Sequence, residues 1–147
     1  MCNCPNSPWV QNANTFLNRN RNNQDGKRHT VAYLLQNDHC EIDNRTSINK
    51  ILTYLQANGI NLSREQFQQT VLGELKRKEI VATLVYPGST GGVFIPCNED
   101  EVKTAAEQIL NRVCSEIENI EGVARSTSFG NLFSLLKRIV SCIKGQL

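Results

Sequence analysis

No stretch of this chain approaches the roughly 18 consecutive apolar residues that a membrane-spanning helix needs, so no membrane protein is expected. The opening residues, MCNCPNSPWVQN, have neither the basic start nor the apolar run of a secretory signal, which makes a cytoplasmic protein the expectation. Histidine is scarce: His29 and His39 are the only two, and neither falls in an HExxH pattern or at a triad spacing. The one glycine-rich run, Pro87 to Gly92, lacks the Gly-Lys-Ser/Thr ending that holds phosphate and magnesium. An enzyme is therefore not expected, and neither is a cofactor or a metal. Charge of one sign is also lacking, since the net charge is only +2, too little to announce a nucleic-acid partner by itself.

What is present is ordinary globular composition, 39% hydrophobic and 20% charged, in 147 residues, a length that suits one sizeable core. The charges are segregated. Arg19, Arg21, Lys27 and Arg28 against Asp25 give residues 19–28 a charge of +3, whereas residues 99–121 carry seven acids against Lys103 and Arg112, or -5. Six cysteines stand at 2, 4, 40, 97, 114 and 142. Without a secretory signal, reduced thiols are expected rather than a disulfide framework. Cys2 and Cys4 with His39 and Cys40 form a conceivable zinc set, but Cys-x-Cys is a tight spacer and the second pair is adjacent, which makes tetrahedral closure awkward. Cys114 and Cys142 fall beside apolar helix positions, as small buried hydrophobes do.

Residues 1–26 hold eight asparagines and two prolines with little periodicity, which predicts a poorly ordered arm with room for a short helical or docking patch around Trp9, Val10, Phe16 and Leu17. Val31, Leu34 and Leu35 share one helical face in a short helix ending near Asn37. A brief extended segment over His39 to Ile42 follows. Thr46 or Ser47 caps the next helix, whose stripe is Ile48, Ile51, Leu52 and Leu55 and whose stop is Asn58-Gly59. Ser63 with Gln66 three residues on is a capping-box signature, and it opens a helix to about Lys78 that buries Phe67, Val71, Leu72 and Leu75. The period then switches from 3.6 to 2. Ile80 to Tyr86, a turn over Pro87 to Gly92, and Val93 to Ile95 read as a β-hairpin. Asn98 and three acids start a long helix striped with Val102, Ala106, Ile109, Val113, Ile117 and Ile120. A terminal helix is expected over 129–144.

The expected architecture is mainly α with a small β-hairpin: a winged helix-turn-helix over 27–98 and a two-helix extension over 99–147, packed as one domain. The stretch SREQFQQTVLGELKRKEIVATLVYPGSTGGVFIPCNEDEV resembles the winged-helix modules of small phage and plasmid DNA-binding proteins. There a recognition helix ending in Glu-Leu and a basic run leads into a wing, a Gly-aromatic strand and an acid-started helix. The resemblance covers about Thr30 to Glu101 and implies that the helix from Ser63 to Lys78 contacts DNA with the hairpin as its wing. One departure stands out: the wing tip, Pro87 to Gly92, has no Lys or Arg.

Geometry alone names the surface. At 100° per residue the arc opposite Phe67, Val71 and Leu75 shows Glu65, Gln66, Gln69, Gly73, Lys76 and Arg77, with Arg64 and Thr70 on its flanks. Gln66 and Gln69 suit base edges, Gly73 would admit a close backbone approach, and Lys76 and Arg77 suit phosphates of double-stranded DNA. Thr46, Ser47 and Lys50 are candidates for backbone contact from the preceding helix, and Ser89 and Thr90 from the wing. A homodimer through helices 99–121 and 129–144 would present two such surfaces to a twofold site. The alternative is a winged-helix protein-interaction module, favoured by the neutral wing tip and the acidic helix after it.

Overall fold

The computed structural model describes residues 2–22, 25–84 and 91–124, with the backbone alone for Val113 and residues 116–124. The chain divides into two compact units, Met1–Val102 and Lys103–Leu147. Within the first, the largest departure from the sequence expectation comes at the start. The short helical patch expected around Trp9 to Leu17 is a full 12-residue helix, α1 (Pro8–Arg19), in place of a poorly ordered arm. Ser7 is its N-cap, accepting a hydrogen bond from the Val10 amide at 3.2 Å, and Pro8 takes the first turn, where its missing N–H costs nothing. Val10 and Ala13 are buried, and Trp9, Phe16 and Leu17 pack against the same core. The Ser7 hydroxyl donates at 2.6 Å to the carbonyl of Pro96, so the cap also fastens α1 to the chain after the hairpin.

α2 (Gly26–Gln36) buries Val31, Leu34 and Leu35, and α3 (Ile48–Ala57), capped by Ser47, buries Ile48, Ile51 and Leu55. A turn leads into α4, which begins at Arg64–Gln66, widens into a π-helical segment Phe67–Leu72 and closes with Gly73–Arg77. Its core face is Phe67, Val71, Leu72 and Leu75. Three of these helices end alike. Asp38, Gly59 and Glu79 have φ of 58°, 80° and 54°, and the next amide bonds back to Leu34, Leu55 and Leu75. This left-handed exit is free for Gly59 and costs Asp38 and Glu79 on the order of 1 kcal/mol each.

The strands β1 (Ala82–Thr83) and β2 (Val93–Phe94) pair antiparallel, Ala82 opposite Phe94 and Thr83 opposite Val93. Among the described residues the pairing continues past the two strands, the Leu84 amide donating to the Gly92 carbonyl at 2.7 Å, and Val85 to Thr90 lie outside the described residues. The extended segment expected at His39 to Ile42 is displaced: residues Ile42–Asn44 form a 3-10 turn, and Thr46 instead bridges β2, exchanging hydrogen bonds of 3.0 and 2.8 Å with Val93. His39 still contributes its carbonyl, which accepts from Ile95 at 2.9 Å. Three helices, a tight turn and this hairpin make the fold a mainly α winged helix-turn-helix.

Gly92 marks the tightest approach. A Cβ there would stand 2.7 Å from the Thr46 carbonyl oxygen, the atom that accepts from Val93, and 2.9 Å from Arg45 Cγ. We expect Gly92→Ala to lower stability by about 1–3 kcal/mol, the usual cost of overpacking. A urea midpoint unchanged from that of the parent would contradict this placement.

The thiols correct a second expectation. Cys2 is bonded to Cys40 and Cys4 to Cys97, with Cα separations of 5.6 and 5.4 Å. Partners 38 and 93 residues apart meet because α1 is folded back onto the core, a proximity that spacing along the chain does not reveal. Cys114 is a free thiol, half-buried, and Cys142 lies outside the described residues.

α5 (Glu99–Ala124) begins in the first unit and supplies the described part of the second. Glu99, Asp100 and Glu101 occupy its first turn, where the helix dipole favours anions. Glu101 also bridges two backbone amides, accepting from Ile42 at 3.2 Å and Cys97 at 2.8 Å. Val102, Ala106 and Ile109 of the expected stripe lie on this helix. The side chains of Val113, Ile117 and Ile120, and the whole segment 129–144, are outside the described residues. Among the described residues no helix is long and apolar enough to cross a membrane.

Candidate nucleic-acid interface

α4 owes its outward face to the four apolar residues that pin its other side. Arg64, Glu65, Gln66, Gln69, Thr70, Lys76 and Arg77 are all exposed, and Gly73 is partly so. Several of these side chains already have local work. Ser63 and Gln66 form the complete capping box, with Ser63 N donating to Gln66 Oε1 at 2.9 Å and Gln66 N to Ser63 Oγ at 3.1 Å. Such caps are worth about 0.5–2 kcal/mol, so Gln66 is first a helix-starting residue. Gln69 Nε2 donates to Glu65 at 3.3 Å, and the Thr70 hydroxyl folds back onto the Gln66 carbonyl at 2.6 Å. Arg64 donates to Asn49 of α3 at 3.1 Å, tying the two helices of the turn together.

Lys76 and Arg77 occupy the last turn of α4, where a helix C-terminus favours cations, and both project into solvent. Gly73 has ordinary helical dihedrals, and a Cβ on it would meet only the Gln68 carbonyl at 3.5 Å. Glycine is thus not required there by the fold. Its amide bonds to that same carbonyl, five residues back, and so closes the wide turn.

The other candidates divide. Ser47 is the N-cap of α3, accepting from the Lys50 amide at 3.2 Å, and Lys50 is exposed beside it. Thr46 does not belong with them: it is only 3% exposed, its backbone is committed to Val93, and its hydroxyl has no hydrogen-bond partner among the described residues. A threonine before a helix reads as a cap candidate in sequence, but pairing with the strand turns this one inward. Ser89 and Thr90 lie outside the described residues.

The sequence reading missed what α1 brings to the end of α4. Asn12 Nδ2 donates to the Glu79 carbonyl at 3.0 Å, and Lys78 Nζ sits 5.3 Å from the centre of the Phe16 ring. A groove between them is lined by residues that include Asn12, Phe16, Arg19, Lys78 and Ile80, so Arg19 of α1 shares a groove with Lys78, the residue that follows Arg77. The signal was Ser7-Pro8 followed by apolar residues at helical spacing.

Glu74 organises the neighbouring charge. It is paired with Lys27 of α2 and, at 3.0 Å, with Lys78. The Lys27 ammonium, and then that of Lys78, hold its carboxyl below the ordinary glutamate range. A lowered folded-state pKa stabilises the fold above the unfolded value, and this contribution is lost as pH falls through the folded value. The parent is therefore expected to lose more stability between about pH 5 and pH 3 than Glu74→Gln, with the two converging at the acid end. Partly exposed pairs are worth roughly 0.2–1 kcal/mol, which sets the neutral-pH difference. Parallel pH profiles of thermal midpoint would sink this assignment.

No protein-family model matches the chain, and no solved structure does. It is 47% identical over 152 residues to a protein of Methanocaldococcus jannaschii named "Putative control protein C.MjaVP", across 98% of this chain and 92% of that one. The chain belongs to the family of this control protein. The relationship to the control protein takes in nearly the full length of both chains, and is not confined to the winged-helix core.

Proposed function

We propose that this protein is a DNA-binding regulator that lays α4 in the major groove with the hairpin as wing. The observation that carries the reading is the exposed face of α4. It sets Arg64 and Gln69 along its length and Lys76 and Arg77 at its end, opposite the buried Phe67, Val71 and Leu75. Amides and guanidinium groups read base edges and cations neutralise phosphates, which is the division of labour such a helix needs. Ser47 and Lys50 at the start of α3 would add backbone contacts, Gly73 a close approach, and Ser89 and Thr90 contacts from the wing. The relative's name, a control protein, supports a regulatory role.

A twofold assembly through helices 99–121 and 129–144 would offer two copies of α4 to half-sites about 34–36 Å apart. The runner-up is a protein-interaction module, favoured by the acidic run at 99–121 and by the absence of Lys or Arg from residues 87–92. Titration of labelled duplexes at several salt concentrations separates the two. DNA binding gives a log-log salt slope of about -0.9 per phosphate neutralised, and a dimer gives two chains per duplex. Absence of binding at 50 mM salt would leave the protein-interaction reading in its place.

A further inference from the structure

The C-terminal end of α2 gathers three ligand-bearing side chains from two parts of the chain. Cys2 Sγ lies 3.9 Å from the Leu35 carbonyl, Asp38 occupies the left-handed exit of the helix, and Cys40 follows two residues later. One ligand atom from each of Cys2, Asp38 and Cys40 falls within 4.8 Å of the other two. This set differs from the one the sequence suggested. Cys4 stands beside Cys97 and outside the group whose ligand atoms meet within 4.8 Å, and His39 has its Nδ1 2.6 Å from the Asn44 carbonyl and its ring against Tyr33.

We propose that when the Cys2–Cys40 bond is reduced, Cys2, Cys40 and Asp38 bind one thiophilic divalent cation of the zinc type, clipping the N-terminal segment to the end of α2. Two thiolates and a carboxylate are zinc ligands, with water completing the tetrahedron. Thiolates on one such ion stand roughly 3.8 Å apart, given Zn–S distances of about 2.3 Å. Side chains on Cα atoms 5.6 Å apart reach that separation by rotation. The setting favours a cation: a helix C-terminus carries partial negative charge, and the last turn of α2 has no basic side chain. Asp38 is exposed, Cys2 half-buried and Cys40 buried. Asp38 forms no ion pair among the described residues.

The steps balance. Opening the disulfide takes two electrons and two protons from a dithiol, which closes to its own disulfide. The cation then displaces two thiol protons into solvent, and no electron moves. Residue 2 stays fastened in both states, and with it the start of α1.

The test uses the full chain, reduced with a dithiol, freed of it without oxygen, and titrated with cobalt(II) and then zinc. One cobalt per chain is expected, with a near-ultraviolet thiolate charge-transfer band that zinc removes and two protons released per ion. Asp38→Ala should weaken binding by at least the roughly tenfold that losing even a supporting partner of a ligand costs. Cys2→Ser with Cys40→Ser should abolish binding, and Cys4→Ser with Cys97→Ser should retain it. Alkylation mapping of the unmutated chain avoids any folding defect of the variants: zinc should protect Cys2 and Cys40 and leave Cys4 and Cys97 as reactive as before. No cobalt band, binding that survives loss of Cys2 and Cys40, or equal protection of all four thiols would each overturn the proposal.

Discussion

Phe67→Ala is expected to cost about 3–5 kcal/mol, the range for truncating a fully buried aromatic side chain. Phe67 is 0% exposed, stands where α4 widens into its π-helical segment, and belongs to the same cluster as Leu34, Ile51 and Leu55 of the two preceding helices. A domain of this size has about 5–15 kcal/mol of net stability, so the variant should sit near the edge of folding. Urea denaturation followed by circular dichroism measures it directly. A loss under about 1 kcal/mol would mean that α4 is not seated as described, and the outward face assigned to Lys76 and Arg77 would fall with it.

Those two cations carry the second large effect. Replacing Lys76 and Arg77 together by alanine should reduce affinity for any duplex by at least about a hundredfold, since charge-assisted contacts are worth roughly 1.5–3 kcal/mol each. The salt slope should flatten by about one unit for each cation removed. Both residues are exposed at the end of α4, so thermal stability should hardly change. Gln69→Ala should behave differently, relaxing sequence discrimination at one position by about 1–3 kcal/mol while general affinity persists. Gln66 is a poorer probe of base reading, because its amide also closes the capping box. Variants of Lys76 and Arg77 that bind like the parent, with an unchanged slope, would show that α4 does not meet the phosphates.

How much of this was legible in the chain follows from what each signal depends on. The helices from Gly26 to Arg77 were readable because their evidence is local: Ser47 and Ser63 cap, Gly59 stops, and Ile48, Ile51 and Leu55 repeat at helical spacing. The candidate face of α4 followed from that periodicity. α1 was legible only as a short patch because eight asparagines in 1–26 look like an arm, and asparagine is a weak helix former; the cap at Ser7 and the burial of Val10 and Ala13 in the core override that tendency. Thr46 was misassigned because strand pairing is a relation between two segments, and nothing around residue 46 announces Val93 as its partner.

The amino-acid order by itself determined the helical periods, their caps and stops, the switch to a hairpin and the place of the exposed amides and cations on α4, all properties set within a turn or two of backbone. Only tertiary structure decided which cysteines meet, that Asp38 joins Cys2 and Cys40, that Thr46 is buried, and that α1 lies against the end of α4. Those outcomes depend on loop closures over 38, 67 and 93 residues, where chain entropy is overcome by burial of apolar surface contributed by distant segments, and no local pattern records which segments those will be.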